Sequence, residues 1–445
     1  MFVPSPKLNE SESRYPNSND VIISDSLILQ ASRALSKQAT SPGVLFDLAA
    51  LIEAVVLYDH LLYLGDASHN IFDNLPLGHL LVKEGIIQSF TPPVSIQEVQ
   101  DSIYNLFGIP DAYDKMDLSP IIARQDQSNV LPYYGDYDFF SPNQVSTVLA
   151  ELELAERLPP FNTPDDPLDS LTSNLTHYCF SLVEMWTGDN SWARRPAQAF
   201  LVRTLVYWAI SDRINITFYP DFTRLAIVAQ ITHHLHHSLS RGVIDVVARA
   251  FYLSPEELAW MNTPFVVTIP PFTSLVLERL GNGQQIGTVL LELRQEFTSL
   301  RATMRAYQQT IRTATMLGEL QQARQVLASE SARLAQKYPT QECIRIQETT
   351  SYYQRAALIG DRPRDPGAYA YALKFKPIEW IREWWIRRNA IHLTDLGTKL
   401  DQYEKYRKLM QKNLDIELDG AELKQYLQVE NLMQTLYYKV NNPDY

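Results

Sequence analysis

The chain has 445 residues, 45% hydrophobic and 20% charged, which is ordinary globular usage and excludes wholesale disorder, a collagen-like chain and an integral membrane protein. The formal net charge of −12 is uneven: residues 1–180 hold 24 acidic against 8 basic side chains, so the front of the chain repels phosphate backbones. Two isolated cysteines, Cys179 and Cys343, exclude a disulfide scaffold and suit a reducing compartment, and only 16 glycines leave few loops able to cradle a phosphate.

Residues 1–20 are polar and rich in Pro, Ser and Asn, without a basic stretch followed by an apolar one. They are expected to be a flexible N-terminus without a secretory signal. Residues 21–160 then read as an acidic helical region. The spacing predicts helices over Val21–Gln38 and Val44–Leu64, separated by Pro42-Gly43. The second is long enough to span a bilayer, but Asp47, Glu53, Asp59 and His60 interrupt it, each charge costing about 2–3 kcal/mol near a membrane centre. It is therefore read as a buried helix, and no transmembrane segment is expected. Further helices are predicted at Leu77–Gln88, Ile96–Phe107 and Gln144–Leu158, with a long surface loop over 111–142, where Asp, Tyr, Pro and Ser show no period.

Residues 161–270 form an expected central helical region. It has helical patterns at Ala197–Ile210 and Asp221–Leu253, and two minor β-branched strands at Ile214–Tyr219 and Phe265–Ile269. Its densest chemistry is Thr232-His233-His234-Leu235-His236-His237. On a helix His233 and His237 lie one turn apart with His236 beside them, so their imidazoles can converge on one divalent cation, with Asp221 or Asp245 adding a carboxylate. The run lacks the glutamate of HExxH, and half-buried histidines bonded to carbonyls or acidic neighbours account for it more simply. Arg194, Arg195, Arg203, Arg213 and Arg224 surround this region. Buried guanidinium groups need partners, and the carboxylates Asp47, Glu53 and Asp59 of the apolar helix pose the matching need, so pairing between the two groups is expected. The sharper alternative is a cleft in which one of those carboxylates faces the histidines as a site for metal or general-base chemistry.

Residues 271–340 carry the clearest period. Gly281-Asn282-Gly283 follows an apparent strand at Ser274–Leu280 and opens a helix. This superficially matches a phosphate loop, although a simple loop and helix start explain it better, because no second strand ending in an acidic residue follows. Apolar residues then fall at Leu290, Leu293, Phe297, Leu300, Met304, Tyr307, Ile311 and Ala314, a heptad seam broken at Gly318 and restarted by Leu320, Ala323, Leu327 and Leu334. A helical hairpin is expected, either covered by the rest of the fold or offering Leu293, Phe297, Leu300, Met304, Tyr307 and Ile311 to a partner. Residues 341–445 form an aromatic, locally basic helical region. Between Lys374 and Lys412 there are 10 basic and 5 acidic side chains, and a helix bearing Trp384, Trp385, Arg387 and Arg388 could dock on protein, stack on a nucleic-acid strand or lie on an anionic membrane.

The expectation is thus a mainly α chain: a multi-helical body with a heptad-patterned helical hairpin and only minor short β segments. Its leading expected role is that of a soluble, cytoplasmic interaction or regulatory protein that assembles with itself or with a protein partner, with nucleic acid as an alternative partner of the C-terminal basic aromatic region. The second expectation is a metal-dependent hydrolase built on His233, His236 and His237, with a divalent metal as cofactor.

Overall fold

Val21-Ile22-Ile23 are fully buried, and β-branched side chains of this kind are stiff and favour extended backbone. The computed structural model describes residues 19–35, 42–64, 75–95, 204–211, 216–221, 265–313, 317–349, 391–394 and 396–417, with single positions around 97–102, 213–214 and 224–228. Strand β1 (Val21–Ile23) pairs in parallel on both sides, with β2 (Leu61–Leu64) in register Val21 to Leu61. On its other side it meets β4 (Thr217–Tyr219) in register Val21 to Thr217. β3 (Ile87–Phe90) adds in parallel to β2, and the sheet order is β3-β2-β1-β4. Parallel neighbours require crossovers. Helices α1 (Asp25–Leu35) and α2 (Pro42–Leu57) make the one from β1 to β2, and α3 (Pro76–Lys83) the one from β2 to β3.

Helices make up most of the described residues, but this four-stranded parallel sheet goes beyond the minor β segments expected. Three predicted helices are in fact helix and strand joined. Val21–Gln38 begins with β1, Val44–Leu64 ends with β2 after α2 stops at Leu57, and Leu77–Gln88 runs from α3 into β3. The physical reason is burial on both faces. A central parallel strand is apolar throughout, and a short run of that kind lacks the alternation that separates strand from buried helix.

Helix α2 is apolar all round and almost wholly buried, as a helix enclosed on every side must be. It packs against α1 and against α4 (Phe272–Leu280), α5 (Ile286–Glu296) and α6 (Thr298–Thr313). Helix α7 (Leu317–Ala335) packs on α6 and on β5 (Phe265–Ile269), the strand expected at those residues. β5, β6 (Ile344–Thr349) and β7 (Ile391–Thr394) form an antiparallel sheet in that order, and α8 (Leu396–Leu414) lies against α4. One continuous core joins β1, α2, α4 to α7 and Tyr403, Tyr406 and Met410 of α8.

The supposed strand Ser274–Leu280 is α4, so Gly281-Asn282-Gly283 is a helix-to-helix turn and not a strand-to-helix phosphate loop. Gly283 takes φ +78° and its N–H donates to Leu280 O at 3.0 Å. Gly281 lies so close to Asn413 that a Cβ would sit 2.6 Å from its side chain, and Asn413 Nδ2 caps α4 by donating to Leu277 O at 2.8 Å. The periodic stripe from Leu290 to Ile311 does not run on one helix. α5 ends at Glu296, Phe297 departs from helical geometry with ψ 24°, and α6 starts at Thr298. Among the described residues no helix is long and apolar enough to cross a membrane. The loop expected over 111–142 and the helix at Gln144–Leu158 lie outside the described residues.

Candidate functional site

In an open parallel sheet, ligands bind beyond the carboxyl ends of the strands where the strand order reverses. Here that point lies between β1 and β4: β2 and β3 extend from one side of β1, while the chain returns to place β4 on the other. Both strands release polar residues at this edge. Ser24 follows β1 and Asp25 opens α1, whereas Tyr219 ends β4 and is followed by Pro220 and Asp221.

Asp221 is the hub. Its Oδ2 accepts from Ser24 Oγ at 3.0 Å and from Ser26 Oγ at 2.7 Å, and its Oδ1 accepts from the backbone N–H of Arg224 at 2.9 Å. The Arg224 guanidinium donates through Nη1 to the same carboxylate and to Ser26 Oγ at 2.8 Å. All four residues are buried, Arg224 to 2% exposure. Desolvating either charge alone would be costly, and the pair with its hydroxyl donors offsets that cost. The guanidinium also lies 5.9 Å from the centroid of the Tyr207 ring, which stacks on Phe218 of β4 at 4.9 Å and 4°.

A second buried carboxylate adjoins β4. Glu53 of α2 is fully buried and accepts from Tyr219 Oη at 2.7 Å. Tyr58 meets Tyr219 edge-on at 5.7 Å. Burial first, and the Glu53 charge second, push the phenols of Tyr58 and Tyr406 well above the usual tyrosine range.

The opposite, amino edge carries the third carboxylate. Asp59 pairs with Arg305 of α6, Nε to Oδ2 at 2.7 Å and Nη2 to Oδ1 at 2.6 Å. For Asp59 this corrects the expected pairing with the arginines of the central region, since its partner comes from α6, and Arg224 of that region is paired locally with Asp221; Arg194, Arg195 and Arg203 lie outside the described residues. Arg294, Arg301 and Arg305 lie on the polar side of the same apolar-striped stretch, at spacings of seven and four that put them on one helical face. Arg294 donates to the α2-end carbonyls of Val55, Tyr58 and Asp59, with Tyr58 O at 2.7 Å, and Arg301 donates to Val56 O at 3.2 Å. These bonds satisfy carbonyls that a helix C-terminus otherwise leaves open. Burial, with the neighbouring Arg301, lowers Arg294 to about 10.

Of the expected metal ligands, Asp221 stands at the carboxyl edge, while His233, His236, His237 and Asp245 lie outside the described residues. Among the described residues no group of three His, Cys, Asp or Glu side chains is arranged for a metal. Leu293, Phe297, Leu300, Met304, Tyr307 and Ile311 are each 2% exposed or less and belong to the chain's own core. Trp384, Trp385, Arg387 and Arg388 lie outside the described residues. No family model, curated protein or solved structure matches the chain.

Proposed function

We propose that the chain is a divalent-metal-dependent hydrolase whose site is the carboxyl edge between β1 and β4. The observation that supports this reading is positional: adjacent parallel strands deliver two carboxylate residues, Asp25 and Asp221, to the edge where the strand order reverses. Hard oxygen donors of this kind suit magnesium or manganese. Asp25 and Asp221 would hold the cation, with His233, His236 and His237 downstream of Asp221 as further candidate ligands. A bound cation supplies a water nucleophile at neutral pH and polarises the bond to be cleaved. Ser24 and Ser26 orient the Asp221 carboxylate, and Arg224 neutralises it, so a cation competes with the guanidinium for the same oxygens.

Calorimetric titration with manganese tests the reading on the full chain. Wild type binds with saturable stoichiometry, and Asp25→Asn weakens binding by a factor on the order of 10 to 100. In parallel, hydrolysis of bis(p-nitrophenyl) phosphate and of p-nitrophenyl acetate is followed with and without chelator. Asp25→Asn is the more informative variant, because Asp221→Asn strands a buried guanidinium at a cost of about 3–5 kcal/mol. An absence of saturable binding, or binding unchanged in both variants, contradicts the proposal. A companion pair, His233→Ala and His237→Ala, reports whether the imidazoles join the set.

Assembly is the second reading. It is favoured by Val266 of β5 and Val326 of α7, which among the described residues are the large hydrophobic side chains left exposed, at 46% and 54%, on two elements that pack together. Under this reading light scattering detects a mass above that of one chain, which falls in Val266→Lys/Val326→Lys.

A further inference from the structure

At the amino edge of the parallel sheet, away from the proposed metal site, an imidazole and a guanidinium each stand in front of a buried carboxylate. His60 Nδ1 lies 2.8 Å from Asp20 Oδ1, and the imidazole is 32% exposed against 5% for its partner. Arg305 grips Asp59 through two parallel bonds and is 52% exposed against 8%. The pairs are neighbours. Asp59 and His60 are consecutive, Asp59 N–H donates to Asn19 O at 3.1 Å, and Val21 N–H donates to His60 O at 3.0 Å. Arg305 also feels the Asp20 charge. Arg301 and Arg294 lie beside Asp59 and are fixed on the α2 carbonyls. Across Asp20, Asp59, Arg294, Arg301 and Arg305 the patch carries one excess positive charge.

We propose that His60 and Arg305, backed by Asp20 and Asp59, form an anion site for a phosphate group. A carboxylate behind an imidazole favours the proton on Nδ1 and turns Nε2 to the opposite side. A carboxylate gripping a guanidinium in a fork fixes its plane. Both side chains are therefore ordered before any ligand arrives, so the entropy normally lost on immobilising long cations does not oppose binding. The remaining guanidinium N–H groups and the imidazole Nε2 offer donors to several oxygens at once, so the site selects phosphate, with its four acceptor oxygens, over a carboxylate with two.

The test is a titration of the full chain with inorganic phosphate, followed through the His60 imidazole resonances by NMR, with sodium chloride at matched ionic strength and sodium acetate as the comparison arms. Phosphate gives a saturable His60 shift that chloride does not reproduce, and acetate binds more weakly. Arg305→Gln and His60→Gln each weaken phosphate binding at least about tenfold, the loss expected for one charge-assisted hydrogen bond. His60→Gln keeps a donor for Asp20 and leaves the Arg305–Asp59 pair intact, so it carries the test by calorimetry if Arg305→Gln does not fold. A shift that fails to saturate, equals that in chloride, or persists in Arg305→Gln overturns the proposal, as does unchanged phosphate affinity in His60→Gln.

Discussion

Arg224 and Asp221 show how much a pair of buried charges asks of its neighbours. Ser24 and Ser26 complete the hydrogen bonding that water would otherwise supply, and in doing so tie the end of β1 to the segment after β4. Replacing Arg224 by Met removes the competing cation but leaves Asp221 buried without a counter-charge. The expected outcome is a loss of about 3–5 kcal/mol by urea denaturation, largely restored by manganese, because the metal then takes over the counter-charge. A variant as stable as wild type, or one indifferent to manganese, contradicts this. Asp221 was visible in the sequence as a candidate ligand. Asp25 was not, because the strand that delivers it was hidden inside a predicted helix.

Tyr58 and Tyr406 supply a pH prediction at the same scale. Their folded values lie above the ordinary 10.0, so their contribution to stability is complete below pH 10 and is lost as the pH rises beyond it, where the unfolded chain ionises first. Arg294 and Arg324, lowered to about 10, act in the opposite sense in that window. The comparison of wild type with Tyr58→Phe isolates the phenol: the variant loses less stability than wild type on crossing pH 10. Parallel losses would remove Tyr58 from the account.

At the scale of elements, the sequence was most legible where one face is wet. β5 alternates exposed and buried residues and was read at its residue numbers, Phe265–Ile269. α2 and β2 are buried throughout, so their junction leaves no period to read, whereas Pro42, read as part of a break, is the first residue of α2. The sequence marks the seam as an apolar stripe without deciding whether the chain's own core or a partner covers it, and the α5–α6 break is invisible in it, because Phe297 keeps its place in the stripe while its backbone leaves the helix. Two variants follow. Leu300→Asp/Ile311→Asp places two charges in the core and unfolds the chain, with circular dichroism losing its helical signal; retained helicity with a halved mass would instead make the seam a subunit contact. Gly283→Ala, at φ +78°, costs about 1 kcal/mol in thermal or urea melts, and an unchanged midpoint would show that the α4–α5 turn relaxes freely.

Over the whole molecule, a single core binds the parallel sheet, the α4–α7 layer and α8 together. The arginines of α5 and α6 lock that layer onto the end of α2. The amino edge is knitted by Arg294, Arg301 and Arg305, while the carboxyl edge holds the network of Ser24, Ser26, Asp221 and Arg224, with Asp25 the first residue of α1. Composition disclosed the acidic front of the chain but not this division, because strand order is a property of pairing between segments almost 200 residues apart. The most direct test is anomalous diffraction from crystals grown with manganese. A peak beside Asp25 and Asp221, between the carboxyl ends of β1 and β4, is the predicted result; a well-occupied peak elsewhere with none at that edge would contradict it.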